Sequence, residues 1–188
     1  MTSRPSHSYS TKFIRFLGVQ LNSAGHPERF ISAVEGFLSI SAVVLITRYF
    51  VPSDDAVLLV ASMGASAVLL FAAPGGSFSQ PWPLVGGHIV SAAIGVTSAM
   101  MIPDPLVAAS VAVSVTILAM QYLKCVHPPG AATALTAVVG GPAIRDLEYW
   151  FLLVPVAINV LVILLMAIAV SYVFSHWFPG RRYPARQS

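Results

Sequence analysis

The residues Lys124, His127, Pro128, Pro129, Gly130 and Thr133 lie within ten positions of each other in the stretch KCVHPPGAAT, and the stretch heads an apolar run that ends at Gly140 and Gly141. Proline fits the first turn of a helix, where its missing N–H would have no intrahelical partner, so Pro128 and Pro129 predict a helix start. A helix start gathers free N–H groups and positive dipole, which favours an anion. From Pro129 to Val139 the helix would span roughly 16 Å at about 1.5 Å per residue, about half the hydrocarbon thickness of a bilayer. Its N-terminus is then expected inside the membrane profile, with the titratable ring of His127 and the cation of Lys124 beside it. The competing reading makes His127 a helix cap hydrogen-bonded to a neighbouring loop and Lys124 a snorkelling lysine at the end of the fourth span.

Three more polar residues fall in apolar stretches. His88 is an ionisable residue at membrane depth, either functional or held neutral by a serine. Asn159, one turn after Pro155, would bond either the carbonyl that proline frees or a permeant ion. Glu35 lies near the start of the first apolar stretch, where Arg29 or a lipid headgroup would pair with it. Small residues cluster at Ala61, Ser62, Gly64, Ala65 and Ser66 and again at Gly130 to Ala134. They permit close helix packing, and two such helices would also frame a narrow path. Gly87, Ser91 and Gly95 form a further stripe, for helix contact first and pore lining second.

The elements that must carry these residues follow from composition. Of 188 residues, 56% are hydrophobic and 9% charged, against about 25% charged in a soluble domain. Mean hydropathy is +0.80. An all-α polytopic membrane protein of one domain is expected. Six spans are read at about 30–51, 54–73, 83–102, 104–123, 128–144 and 147–176, with Ser53, Asp54 and Asp55 heading the second, Asp104 and Pro105 the fourth, and Asp146 and Glu148 the sixth. Residues 1–29 form an N-terminal segment in which Lys12 to Leu21 reads as an interfacial amphipathic helix, residues 30–176 the transmembrane domain, and residues 177–188 a basic tail. With six spans, Arg4, Lys12, Arg15, Arg29, Lys124, Arg181, Arg182 and Arg186 share one face, expected to be cytoplasmic, and both termini lie there. A bacterial-type inner (plasma) membrane is the expected location. The alternative is four spans with re-entrant segments.

GASAVLLFAAPGG (Gly64–Gly76) resembles GAATALTAVVGG (Gly130–Gly141). The pair divides the chain into repeats of about 30–102 and 104–176, three helices each, the second inverted because three is odd, with short or broken second and fifth helices meeting at a central site.

Absences narrow the chemistry. The single cysteine, Cys125, excludes an internal disulfide and reads as a small buried side chain. No metal-ligand spacing, catalytic triad context, phosphate loop or nucleic-acid motif is present, so no enzyme activity, metal or cofactor is expected. Apart from Glu35, no carboxylate lies well inside a span, which leaves a cation path little to use.

HPPGAATAL, joined to ASMGASAVLLFAAPGGSFSQPWPLVGGHIVSAAIGV (Ala61–Val96), resembles the HPP family of integral membrane proteins, named for the triplet His127-Pro128-Pro129. The resemblance implies four transmembrane helices, a presumed transport role and, through plant chloroplast relatives, nitrite. The residues themselves favour six spans and a small anion. The expected function is therefore a transporter or channel for a small monovalent anion, nitrite first, with Ser62, Gly64, Ser66, His88, Lys124, His127, Pro128, Pro129, Gly130, Thr133 and Asn159 as site residues. Amides after Pro129 and around Gly64 would hold the anion, and a homo-oligomer in a lipid bilayer is expected. The alternative is a non-transporting assembly or sensor subunit whose stripe at Gly87, Ser91 and Gly95 is an oligomer contact.

Overall fold

The structure, a computed structural model, describes Leu17, residues 24–52, Asp55, residues 57–178 and residues 181–185. The expected amphipathic helix at 12–21, apart from Leu17, and the expected caps Ser53 and Asp54 lie outside the described residues. The elements are α1 (His26–Phe50), α2 (Val57–Ala72), a 3-10 turn (Ser77–Ser79), α3 (Pro81–Met101), α4 (Pro105–Tyr122), α5 (Pro128–Val139), a short α6 (Pro142–Arg145), a π-helical segment (Leu152–Ala157) and α7 (Ile158–Phe174). No strand occurs among the described residues. Four stretches, α1, α3, α4 and Leu152–Phe174, are long and apolar enough to cross a membrane, while α2 and α5 are apolar but shorter.

Local chemistry accounts for most of the boundaries. Glu28 reaches back to accept the Gly25 N–H at 2.7 Å at the head of α1. Asp104 caps α4 as expected, accepting from Leu106 and Val107 at 2.9 Å with Pro105 in the first turn. Pro128 and Pro129 open α5. Two expectations fail. The fifth span, read to 144, is not one helix: α5 ends at Val139, as the expected Pro129–Val139 length has it, because Gly140 terminates it and Gly141 takes φ +91°, leaving Pro142 to begin a separate turn. The sixth does not start at 147 on Asp146 and Glu148: Asp146 ends α6, Glu148 sits at φ +46°, and Pro155 holds Val154 at φ −135°, ψ 115°, outside the helical region. The N–H of Ala143 goes instead to Asp55, at 3.0 Å, so the acid expected to head the second span reaches across to α6.

Two outer helices, α1 and α4, are inside-out relative to those of a soluble protein, whereas α2, α3 and α7 bury large apolar side chains such as Leu59, Leu70, Leu84 and Ile163. The buried positions of α1 are Glu35, Ser39, Val43 and Thr47, four residues apart, while Phe30, Phe37, Leu45 and Tyr49 are exposed. α4 repeats the pattern with Ala108, Ala112, Thr116 and Met120 inside and Val107, Val111, Val115 and Leu118 outside. Lipid accepts the bulky apolar side chains, and small or polar ones mediate helix contact.

Long helices consecutive in sequence run in opposite directions, while α3 and α5, which pack most closely, run in the same direction. One end of the bundle joins Ser32 to the Phe71 carbonyl (2.7 Å), Trp82 to the Leu123 carbonyl (3.0 Å) and Ala185 to Gln80 (3.0 Å). The other joins Asp55 to Ala143 and Thr97 to Tyr149 (2.9 Å). α1 packs on α2 and α7, α4 on α3 and α5, α5 on α3 and α2, and α7 on α2 and α3. The closest approach is between α3 and α5. A Cβ on Gly87 would lie 2.5 Å from His127 Cβ, and one on Gly95 2.5 Å from the Ala134 carbonyl. The stripe expected on α3 is thus consumed within the chain, which corrects its alternative assignment as an oligomer contact.

Residues 181–185 return to the bundle. Arg181 pairs with Glu35 and bonds Ser32 (2.6 Å) and the Glu28 carbonyl (3.0 Å). Glu35 was expected to meet Arg29 or a headgroup; the tail supplies the partner from 146 residues away. The Tyr183 N–H donates to Ser171 at 2.7 Å, and burial pushes its phenol above the usual range, so it stays neutral.

Arg181→Gln is expected to destabilise the bundle by about 3 kcal/mol, since it leaves the Glu35 carboxylate buried without its partner, and adding Glu35→Gln should recover most of the loss. Thermal unfolding in detergent reads both. By the same measurement Gly87→Ala should cost about 1–3 kcal/mol by forcing α5 outward. Gly64→Ala should be neutral or stabilising, because nothing lies within 4 Å of a Cβ there.

Candidate functional site: a buried two-histidine network

The site begins with how α4 ends. Lys124 adopts φ +55°, its N–H reaching the Gln121 carbonyl (3.2 Å) and that of Cys125 the Met120 carbonyl (2.9 Å). This left-handed termination is a Schellman motif, with lysine where glycine is usual. It turns the chain into the bundle, where the segment climbs beside α3. Leu123 is level with Trp82, Cys125 packs on Gly86, and His127 packs on Gly87. Gly87 is six residues into α3, so α5 starts about 9 Å above the end of its neighbour. Cys125 and His127 are both fully buried, the condition under which non-helical backbone survives at membrane depth. The late start expected from Pro128 and Pro129 is therefore present, and Cys125 is the buried small side chain expected.

Here α2, α3 and α5 converge on five polar side chains. Ser62 and Ser66 stand one turn apart on α2, His88 comes from α3, His127 precedes α5 and Thr133 lies within it; all five are at most 1% exposed. His127 Nδ1 contacts the Phe78 carbonyl at 2.8 Å and its Nε2 contacts Ser66 Oγ at 2.9 Å. Ser66 Oγ also meets His88 Nε2 at 2.8 Å, and His88 Nδ1 meets Thr133 Oγ1 at 2.8 Å. Thr133 Oγ1 is 2.8 Å from Ser62 Oγ, which donates to the Pro129 carbonyl at 2.8 Å. The ring centroids of the two histidines are 4.9 Å apart. Because a carbonyl only accepts, Nδ1 of His127 carries a proton.

Of the residues expected at a site, His127, His88, Ser62, Ser66 and Thr133 are brought together, with Pro129 contributing its carbonyl and Gly130 packed against Gly87 and Ser91. The others are elsewhere. Lys124 is exposed and lines a surface cavity of about 550 Å³ with Ser77, Gln80, Trp82 and Ala185, because the left-handed turn directs its side chain away from the bundle. Gly64 faces α1 across an apolar cavity of about 330 Å³, since it sits two residues from both Ser62 and Ser66 and so on another helix face. Asn159 donates to Thr47 on α1 at 2.8 Å. Pro128 is exposed.

The anion-binding amides also need correction. Two of the first three helical residues are prolines without an N–H, and the Gly130 N–H is donated to the His127 carbonyl at 2.9 Å. The start of α5 therefore offers side chains rather than free amides. His127 makes no side-chain bond to its own helix, but it stands at the N-cap position and its ring bonds the Phe78 carbonyl of the neighbouring 3-10 turn, so the alternative of a helix cap bonded to a neighbouring loop describes one of its two ring contacts. Sequence reasoning missed the Phe78 carbonyl, for which a main-chain acceptor carries no residue-type signal. Among the described residues no group of three or more His, Cys, Asp and Glu is arranged to hold a metal.

Comparison with known proteins places this architecture. Two curated relatives from Dictyostelium discoideum, each described only as a transmembrane protein, are 36% identical over 157 residues (81% of this chain, 49% of the relative) and 38% identical over 117 residues (60% and 41%). The chain thus spans about half or less of the length of these relatives. No solved structure matches. The family model for the HPP transmembrane region matches residues 22–184, nearly all of the described bundle and all of the histidine network, and the chain belongs to that family of multi-pass membrane proteins.

Proposed function

We propose that the protein is a transporter or channel for a small monovalent anion, with nitrite the first candidate, and that the path runs where α2, α3 and α5 meet. The observation that carries this reading is the five-residue polar network, two histidines included, sealed within helices that are otherwise apolar or small. Polar groups at membrane depth are costly unless they serve a function or are fully paired. Anion rather than cation follows from the charges available. Among the described residues no carboxylate touches the network, and the buried acid Glu35 is paired with Arg181, whereas imidazole and hydroxyl groups can donate to an anion. The family resemblance adds nitrite.

The neighbour pattern supports a 3+3 inverted repeat. Exchanging α1, α2 and α3 with α4, α5 and α7 converts the α1–α2 contact into α4–α5, α1–α7 into α4–α3, and α2–α7 into α5–α3, and leaves α2–α5 and α3–α7 unchanged. Each of these pairs is present, and the two short helices meet on the pseudo-axis, as in transporters built from inverted repeats. In this reading the end of the bundle carrying Arg181, Arg182 and Lys124 is cytoplasmic.

Purified protein in liposomes should take up nitrite faster than empty vesicles. His88→Gln and His127→Gln should each reduce that flux at least about tenfold, a barrier change of roughly 1.4 kcal/mol, while Lys124→Gly should leave it unchanged. Absence of flux from folded protein would overturn the transport reading.

A further inference from the structure

The hydrogen-bond network has one contact more than it has protons when both histidines are neutral. It runs as a single line of six contacts: Phe78 carbonyl, His127, Ser66, His88, Thr133, Ser62, Pro129 carbonyl. Both ends are carbonyls, which bring no proton. The three hydroxyls bring one each, and a neutral imidazole brings one. Five protons thus face six contacts of 2.8–2.9 Å. A secondary contact from Ser66 to the Ser62 carbonyl, at 3.2 Å, adds another claim on the same protons.

With neutral rings the assignment is forced from one end. His127 Nδ1 donates to Phe78, so its Nε2 accepts from Ser66. His88 Nε2 then donates to Ser66 and its Nδ1 accepts from Thr133. Ser62 is left with one proton for both Thr133 and the Pro129 carbonyl, and one contact is empty. A sixth proton on His127 Nε2 reverses the line. His127 then donates to Ser66, Ser66 to His88, His88 to Thr133, Thr133 to Ser62 and Ser62 to Pro129. Every contact is filled, and only hydroxyl rotations and a tautomer change of His88 are required. A seventh proton is opposed by charge: it would make cations of two rings whose centroids are 4.9 Å apart, and Ser66, receiving from both, would keep only the longer 3.2 Å contact with the Ser62 carbonyl for its own proton.

We propose that this network is a binding site for one proton per chain, shared by His88 and His127, and that the transported anion is its counter-charge. The second half rests on the transport reading above. Among the described residues no fixed acid faces the rings: α2, α5 and the 3-10 turn carry no ionisable side chain, α3 has only His88, and α4 only the exposed Tyr122. On the connecting segment, the Cys125 thiol packs on Gly86 and Lys124 is exposed. A cation here has no partner among the described residues, so an anion arriving with the proton would neutralise it and the pair would cross together, one for one.

Nitrogen-15 NMR of histidine-labelled full chain in lipid nanodiscs tests this, with His88→Gln and His127→Gln assigning the signals. Between about pH 8 and about pH 4, across the ordinary histidine range, the pair should gain one proton in total. Two neutral rings throughout, or two cations, would overturn the site. Thr133→Val removes the acceptor that the charged form needs, so it should lower the proton affinity about tenfold, one pH unit. Ser62→Ala should act in the same direction, and unchanged midpoints in both folded variants would also overturn it. Replacing gluconate by nitrite should raise the midpoint by the reciprocity of coupled binding. Proton uptake indifferent to nitrite would leave the proton site standing and overturn the anion as its partner, whatever the flux experiment shows.

Discussion

The bundle depends on the contact between Gly87 and His127. With His127 Cβ only 2.5 Å from where a Gly87 side chain would begin, the backbone entering α5 lies directly on α3, and this seats the start of α5 inside the bundle instead of at its edge. The depth of that start then determines what His127 can reach. Its two nitrogens meet the Phe78 carbonyl and Ser66, and six residues further along Thr133 comes level with His88. Gly95 against Ala134 repeats the close approach further along the helices, so α3 and α5 are held in one register. A longer α5 starting at the surface would present the same residues at different heights and the network would not close.

The interior is built on a second constraint, that polar groups away from water must find partners within the chain. The chain meets it in segregated compartments. The histidine network occupies the junction of α2, α3 and α5, Asn159 and Thr47 join α7 to α1, and Arg181 with Glu35 ties the tail beneath α1 and α2. The Arg181 pair fixes where the chain goes after α7. It also leaves the histidines as the ionisable groups deep in the bundle with no fixed charge beside them. A transport reading uses this difference, because a group already neutralised cannot respond to a solute, whereas an imidazole can gain a proton.

Much of the architecture was legible in the residues. The apolar stretches, the caps at Asp104 and Pro105, and the start of α5 at Pro128 and Pro129 follow from local rules of helix termination. The shortness of α5 follows from its glycines. Ser62, Ser66, His88, His127 and Thr133 were legible as residues needing polar partners, but the same reasoning named Asn159, which pairs with Thr47 instead. The errors came where spacing along a helix had to be converted into facing. Gly64 belongs to the same small-residue cluster as Ser62 and Ser66 but turns toward α1, and Lys124 is three residues from His127 yet points outward because its backbone is left-handed.

Sequence alone thus determined that the chain is a helical membrane protein, where most helices begin, and which side chains require polar partners, because these depend on composition and on interactions within a turn or two. Tertiary structure decided which partners they obtain. The pairing of Arg181 with Glu35, the contact of Asp55 with α6, and the closing of the network on the Phe78 carbonyl are contacts between residues 146, 88 and 49 positions apart. Such contacts are set by how helices pack, and a carbonyl that ends a proton line has no side chain by which the sequence could announce it.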